Sequence, residues 1–184
     1  MLAIAILAAG EGTRMKSALP KVLHSLAGKP LIDRVLSSTE GLNPSHRIIV
    51  VGHQAKEIEE SLKNYQGLEF VLQQPQNGTG HAIQQLTPLL KGFKGDLLVL
   101  NGDVPLLKKK TLRSLLKFHK ESNASVTFLS ASVDCPKGYG RVCTNSSGLV
   151  QRIIEERDCN NEEQKIKLIN AGIYCFDWQQ LSDV

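Results

Sequence analysis

The run Ala8-Ala9-Gly10-Glu11-Gly12-Thr13-Arg14-Met15-Lys16 follows directly on an apolar stretch that begins at Leu2. Glycine at 10 and 12 lets the backbone take positive φ and approach a ligand closely, and successive amide N–H groups in such a turn can converge on phosphate oxygens. Arg14, Lys16 and Lys21 supply three cations in this region against the one carboxylate of Glu11. Guanidinium and ammonium groups held beside a nucleoside triphosphate offset the charge that builds during phosphoryl transfer. The chemistry indicated is phosphate binding.

Two common phosphate loops are excluded by spacing. A P-loop requires G-x-x-x-x-G-K-[ST], a string absent from the chain. A dinucleotide fingerprint requires a third small residue at position 15, an immediate helix and an acid at the end of the second strand. Position 15 is Met, the next helix waits until Pro30, and the second strand ends Val51-Gly52-His53.

The elements that must position this loop are legible as alternating patterns. Residues 2–8, 47–52, 68–73 and 96–101 are nearly continuous apolar runs, the mark of strands buried on both faces. Between them lie helical patterns: 31–38 after Pro30, 55–64 with Ile58 and Leu62 four apart, and 80–91. The order β-α-β-α-β-α-β predicts an α/β fold with a doubly wound, mostly parallel sheet. A helix over 111–119 gathers Leu112, Leu115, Leu116 and His119 on one face and turns Lys110, Arg113, Lys117 and Lys120 outward. Runs at 125–133, 140–145, 149–156 and 168–176 read as further strands, so the second half is richer in β structure.

In a parallel sheet, ligands gather at the carboxyl ends of the strands. Asp103 follows the strand 96–101 there, where a carboxylate suits a hard cation such as Mg²⁺ that keeps most of its waters; an aspartate that only forms the turn before Pro105 is the alternative. Gln73 ends the third strand and Gly78-Thr79-Gly80-His81 opens the next helix, so amides and a hydroxyl there can read the edge of a pyrimidine. Thr79 serves equally as a helix N-cap, and His81 has no assigned role.

The segment 7–31, LAAGEGTRMKSALPKVLHSLAGKPL, resembles the L-A-A-G-x-G-T-R-M…P-K signature of sugar-phosphate nucleotidyltransferases. The P-K-V-L-H run at 20–24 is similar to the uridyltransferase half of bifunctional N-acetylglucosamine-1-phosphate uridyltransferases/glucosamine-1-phosphate acetyltransferases. Q-N-G-T-G-H-A at 76–82, N-G-D-V-P-L at 101–106, G-Y-G-R at 138–141 and I-N-A-G-I at 169–173 follow in that family's order. The resemblance implies a Rossmann-like nucleotide-diphospho-sugar transferase fold, with 1–107 the nucleotide-binding part and 108–184 the sugar-binding part of one domain.

It also implies transfer of UMP from UTP to N-acetylglucosamine 1-phosphate, giving UDP-N-acetylglucosamine and pyrophosphate for cell-wall and envelope polysaccharide precursors. Arg14 and Lys21 would act in catalysis. Leu7, Ala8, Ala9, Gly10, Gly12, Thr13, Gln73, Gly78 and Thr79 would bind the nucleotide, and Gly140, Glu155 and Asn170 the sugar. Asp103 would be a ligand of Mg²⁺, with a second, Asn ligand expected beyond residue 184. The implied catalytic domain is thus incomplete at its C-terminus, and the acetyltransferase half, through which a homotrimer would form, is missing. Another sugar or cytidylyl nucleotidyltransferase, and a nucleotide-binding fragment without turnover, stay open as alternatives.

Composition narrows the partners. The 184 residues carry 22 basic and 18 acidic side chains for a net charge of +4, 41% apolar residues and 5% aromatics, ordinary for a soluble domain. The six cations at 108–120 have no interleaved aromatics, which points to a solvated helix face rather than a nucleic-acid patch. The first apolar run is short and lacks a basic leader, so neither membrane insertion nor secretion is expected. Cys135, Cys143, Cys159 and Cys175 show no C-x-x-C pair, consistent with reduced thiols in a cytoplasmic protein.

Overall fold

The computed structural model of the chain describes residues 1–10, 12 and 15–182, the last without its side chain. Packing divides it into two compact units, Met1–Thr127 with Tyr174–Val184, and Phe128–Ile173. The helix after residue 107 belongs to the first of these units.

The first unit is built on four parallel strands, β1 (Leu2–Leu7), β4 (His46–Val51), β5 (Glu69–Leu72) and β6 (Asp96–Asn101). Two short strands that precede β4, β2 (Ser25–Leu26) and β3 (Lys29–Pro30), form a separate hairpin. The parallel strands lie in the order β5-β4-β1-β6, so the chain winds outward from β1 to β5 and then returns to the other side of β1. Right-handed crossovers place the connections of the two directions on opposite faces. Both faces are accordingly covered. Ala3, Ala5, Ile48, Val50, Leu97 and Val99 pack with Ala82, Ile83, Leu86, Leu90, Phe93 and Trp178. The alternate residues Ile4, Ile6, Ile49, Val51, Leu98 and Leu100 point the other way and are equally buried. That double burial is why these strands read as continuous apolar runs.

Helices α1 (Leu31–Ser38), α2 (Ala55–Ser61) and α3 (Gly78–Gln84) connect the strands in turn. The pattern at 80–91 predicts a longer third helix. It stops at Gln84 because Pro88, four residues on, has no N–H to return to that carbonyl and its ring clashes there; turns carry the chain onward. Helix α4 (Lys109–Ser122) is longer than the expected 111–119, with Leu112, Leu115 and His119 buried and Lys110, Arg113, Lys117 and Lys120 exposed. His119 Nδ1 meets Thr127 Oγ1 at 2.8 Å, so the buried ring has a polar partner.

The chain leaves the first unit along β7 (Val126–Ser132) and returns along β10 (Leu168–Asp177). The returning segment Tyr174–Asp177 pairs antiparallel with β6, and α5 (Trp178–Ser182) follows. The second unit contains the antiparallel hairpin β8 (Arg141–Thr144) and β9 (Val150–Ile154), with Arg141 in register with Ile169 of β10. Among the described residues no helix is long and apolar enough to cross a membrane.

Candidate active site

The site in the first unit grows from the ends of the parallel strands. Register sets Leu7 level with Val50 on one side and Asn101 on the other. Beyond the ladder, Ala8 N–H donates to Val50 O at 2.8 Å and Gly102 N–H to Leu7 O at 2.9 Å, while Gln73 N–H donates to Val51 O at 2.7 Å. Four strand tips are thus tied together, and their departing loops border a cavity of about 510 Å³.

Leu7, Ala8, Ala9, Gly10, Gly12, Lys21, Gln73, Gly78, Thr79 and Asp103 all line this cavity. Ten expected site residues, drawn from five separate stretches of chain, therefore meet in one place. Thr13 and Arg14 lie outside the described residues.

Gly12 has φ of +61°, and a Cβ there would stand 2.8 Å from Cβ of Lys21. Only glycine fits both the turn and the close approach. Lys21 opens a 3-10 turn, Lys21–Leu23, whose Val22 is buried beneath it. Its ammonium pairs with the carboxylate of Asp103, and the two side chains keep 41% and 29% of their exposure. A cation and an anion so placed on a ligand cavity can each be redirected, one to phosphate and the other to a metal.

Asp103 supplies the carboxylate on the cavity wall, and among the described residues no cluster of three or more His, Cys, Asp or Glu forms a cage. This donor set fits a cation such as Mg²⁺, which keeps several waters and takes the rest of its ligands from substrate phosphates.

The model of the MobA-like NTP transferase domain matches residues 4–157. The chain belongs to that family. Along all 184 residues it is 79% identical to the bifunctional protein GlmU of Prochlorococcus marinus strain NATL2A, and it spans 41% of that protein's length. Among solved structures, a Bacillus anthracis protein studied as a candidate glucose-1-phosphate thymidylyltransferase superposes with a TM-score of 0.83 at 18% identity, covering 99% of this chain and 74% of that one. UDP-glucose pyrophosphorylase complexed with UDP-glucose gives 0.77 at 19% identity, covering 100% and 80%. At such identities these two likenesses concern the fold alone.

Within this NTP transferase domain the sequence left several neighbours unweighted. Met15, Val22, Gln76, Ala82 and Asn101 also line the cavity. Asn101 and Gln76 sit inside the motifs at 101–106 and 76–82, and Asn101 also closes β6, a position that could have singled it out. The Lys21–Asp103 pair had no sequence signal, since 82 residues separate the partners.

Gly140, Glu155 and Asn170 come together in the second unit. Asn170 N–H donates to Gly140 O at 2.9 Å, and a Cβ on Gly140 would stand 3.2 Å from Glu155 Oε1. Arg141, 2% exposed, donates to Tyr139 O and reaches Glu156 at 3.4 Å; Glu156 in turn accepts Gly138 N–H. The glycine turn is thereby pinned from beneath.

Proposed function

We propose that the chain carries uridylyl transfer, UTP plus N-acetylglucosamine 1-phosphate giving UDP-N-acetylglucosamine and pyrophosphate. The observation that supports this most strongly is the gathering of Gly10, Gly12, Lys21, Gln73, Thr79 and Asp103 around one cavity at the strand ends. Identity of 79% with a bifunctional GlmU over the whole chain supports the choice of a uridine nucleotide. In this reading the longer protein is cytoplasmic, trimerises through its acetyltransferase half, and feeds envelope polysaccharide synthesis.

The uracil lies against Leu7–Gly10 and the Gln73 and Thr79 side, with the phosphates toward Gly12 and Lys21. Gly140, Glu155 and Asn170 take the sugar through hydroxyl and N-acetyl contacts. The sugar phosphate oxygen attacks the α-phosphorus in line. A new P–O bond forms, the bond to the β-phosphate breaks, and its electron pair leaves with pyrophosphate. The protein contributes position and charge rather than a nucleophile. Lys21 exchanges Asp103 for the α- and β-phosphates, and Arg14 meets the leaving pyrophosphate. Mg²⁺ held by Asp103 would supply charge neutralisation across the nucleotide and sugar phosphates.

Pyrophosphate release from UTP, CTP and dTTP with N-acetylglucosamine 1-phosphate and Mg²⁺ tests the reading. UTP is expected to exceed the others by about 10². Preference for CTP or dTTP would move the chain to another nucleotidyltransferase, and UTP binding without release would leave a nucleotide-binding domain that does not turn over.

A further inference from the structure

The amide of Gln73 is 4% exposed and lines the nucleotide cavity, so its orientation decides what a base meets there. Gln73 Nε2 donates to the carbonyl of Gly78 at 2.9 Å. That contact identifies the nitrogen end of the amide, because an oxygen placed there would face another oxygen. The same Nε2 stands 3.3 Å from Nδ1 of His81, one turn into α3. An amide nitrogen carries two hydrogens, and the second is satisfied if Nδ1 is the bare, accepting nitrogen of the ring. A neutral imidazole then bears its hydrogen on Nε2. Gln85 Nε2 lies 3.1 Å from His81 Nε2 and donates to His81 O at 3.2 Å, so amide nitrogens face both ring nitrogens and only one of them can donate to the bare one. The buried Gln73 amide is held by Gly78 O, whereas half-buried Gln85 keeps its bond to His81 O if the ring hydrogen points toward it, which leaves Nδ1 as the acceptor for Gln73.

We propose that His81 is a positioning residue for base selection: by accepting from Gln73 on Nδ1, it fixes the amide with Oε1 presented to the base. A carbonyl oxygen accepts the N3–H of uracil and repels the lone pair at N3 of cytosine. Without His81 the amide is held by Gly78 O alone, and the turned amide that offers N–H, which suits cytosine, costs one hydrogen bond less to reach. The inference rests on the uridine reading above. His81 touches neither phosphate nor sugar in this account; it acts only through Gln73.

The test is calorimetric titration of UTP and of CTP into the chain and two variants, with folding of each checked by its thermal transition. The unsubstituted chain is expected to prefer UTP. His81→Leu, which keeps a side chain of similar reach without an acceptor, is expected to lose at least about tenfold of that preference. His81→Asn, whose side-chain oxygen can stand near Nδ1, is expected to restore most of it. Should His81→Leu fail to fold, His81→Ala is read in its place. An unchanged ratio in His81→Leu or His81→Ala overturns the inference, as does an equal loss in His81→Asn, which would mark packing rather than acceptance. If the unsubstituted chain itself shows no preference for UTP, the uridine reading fails first, and that result is distinct from either.

Discussion

Lys21 and Asp103 neutralise one another beside the cavity, and both remain open enough to water that the pair contributes little to folding. Its value lies in what each partner does when a nucleotide arrives. Lys21→Ala is therefore expected to lower turnover by about 10² while shifting stability by less than about 1 kcal/mol, read by pyrophosphate release and thermal melting. Loss of stability with full activity would reverse this assignment. The residue types at these two positions were visible in the sequence because each sits in a motif and at the end of a structural element. Their contact was not visible, since no local pattern encodes a pairing between residues so distant. Gln73 shows the same limit. Its place at a strand end was readable, whereas its hold on Gly78 and His81 depends on how α3 lies against that end.

At the scale of elements, the loop after β1 depends on a turn that tolerates no side chain. Gly12→Ala would place a methyl 2.8 Å from Lys21 Cβ at a φ of +61°, so loop and 3-10 turn must separate. The expected outcome is a loss of UTP affinity of at least about tenfold, with destabilisation of about 1–2 kcal/mol, measured by calorimetry and denaturant melts. The core strands were legible because double burial leaves a run of apolar residues with no polar face. The β2–β3 hairpin was not. Each strand is two residues long, too short for any period, and Arg34 of α1 secures it by donating to Leu26 O at 2.8 Å. The length of α3 was overestimated because apolar spacing continues through Leu86 and Leu90, which stay buried in the turns after Pro88 has ended the helix.

At the scale of the whole molecule, the fold class was readable from the order of elements, while the division between units was not. The boundary falls inside β7 and β10, continuous strands with no linker composition to mark it. Burial of the first unit's core has a titratable witness. Burial, then the charge of Asp96, pushes the Cys175 thiol from its ordinary 9.0 up to about 12. The folded state thus favours the neutral thiol, so this contribution is complete below pH 9 and is lost as pH rises from about 9 to about 12. Melting temperature in that window should fall more steeply for the unsubstituted chain than for Cys175→Val, and parallel curves would count against it. The central claim is that the cavity at the strand ends takes a uridine triphosphate, and its most direct test is calorimetric titration of UTP with Mg²⁺. The account predicts one site per chain, tighter for UTP than for CTP and weakened by Lys21→Ala; no binding, or binding indifferent to the base and to Lys21, would contradict it.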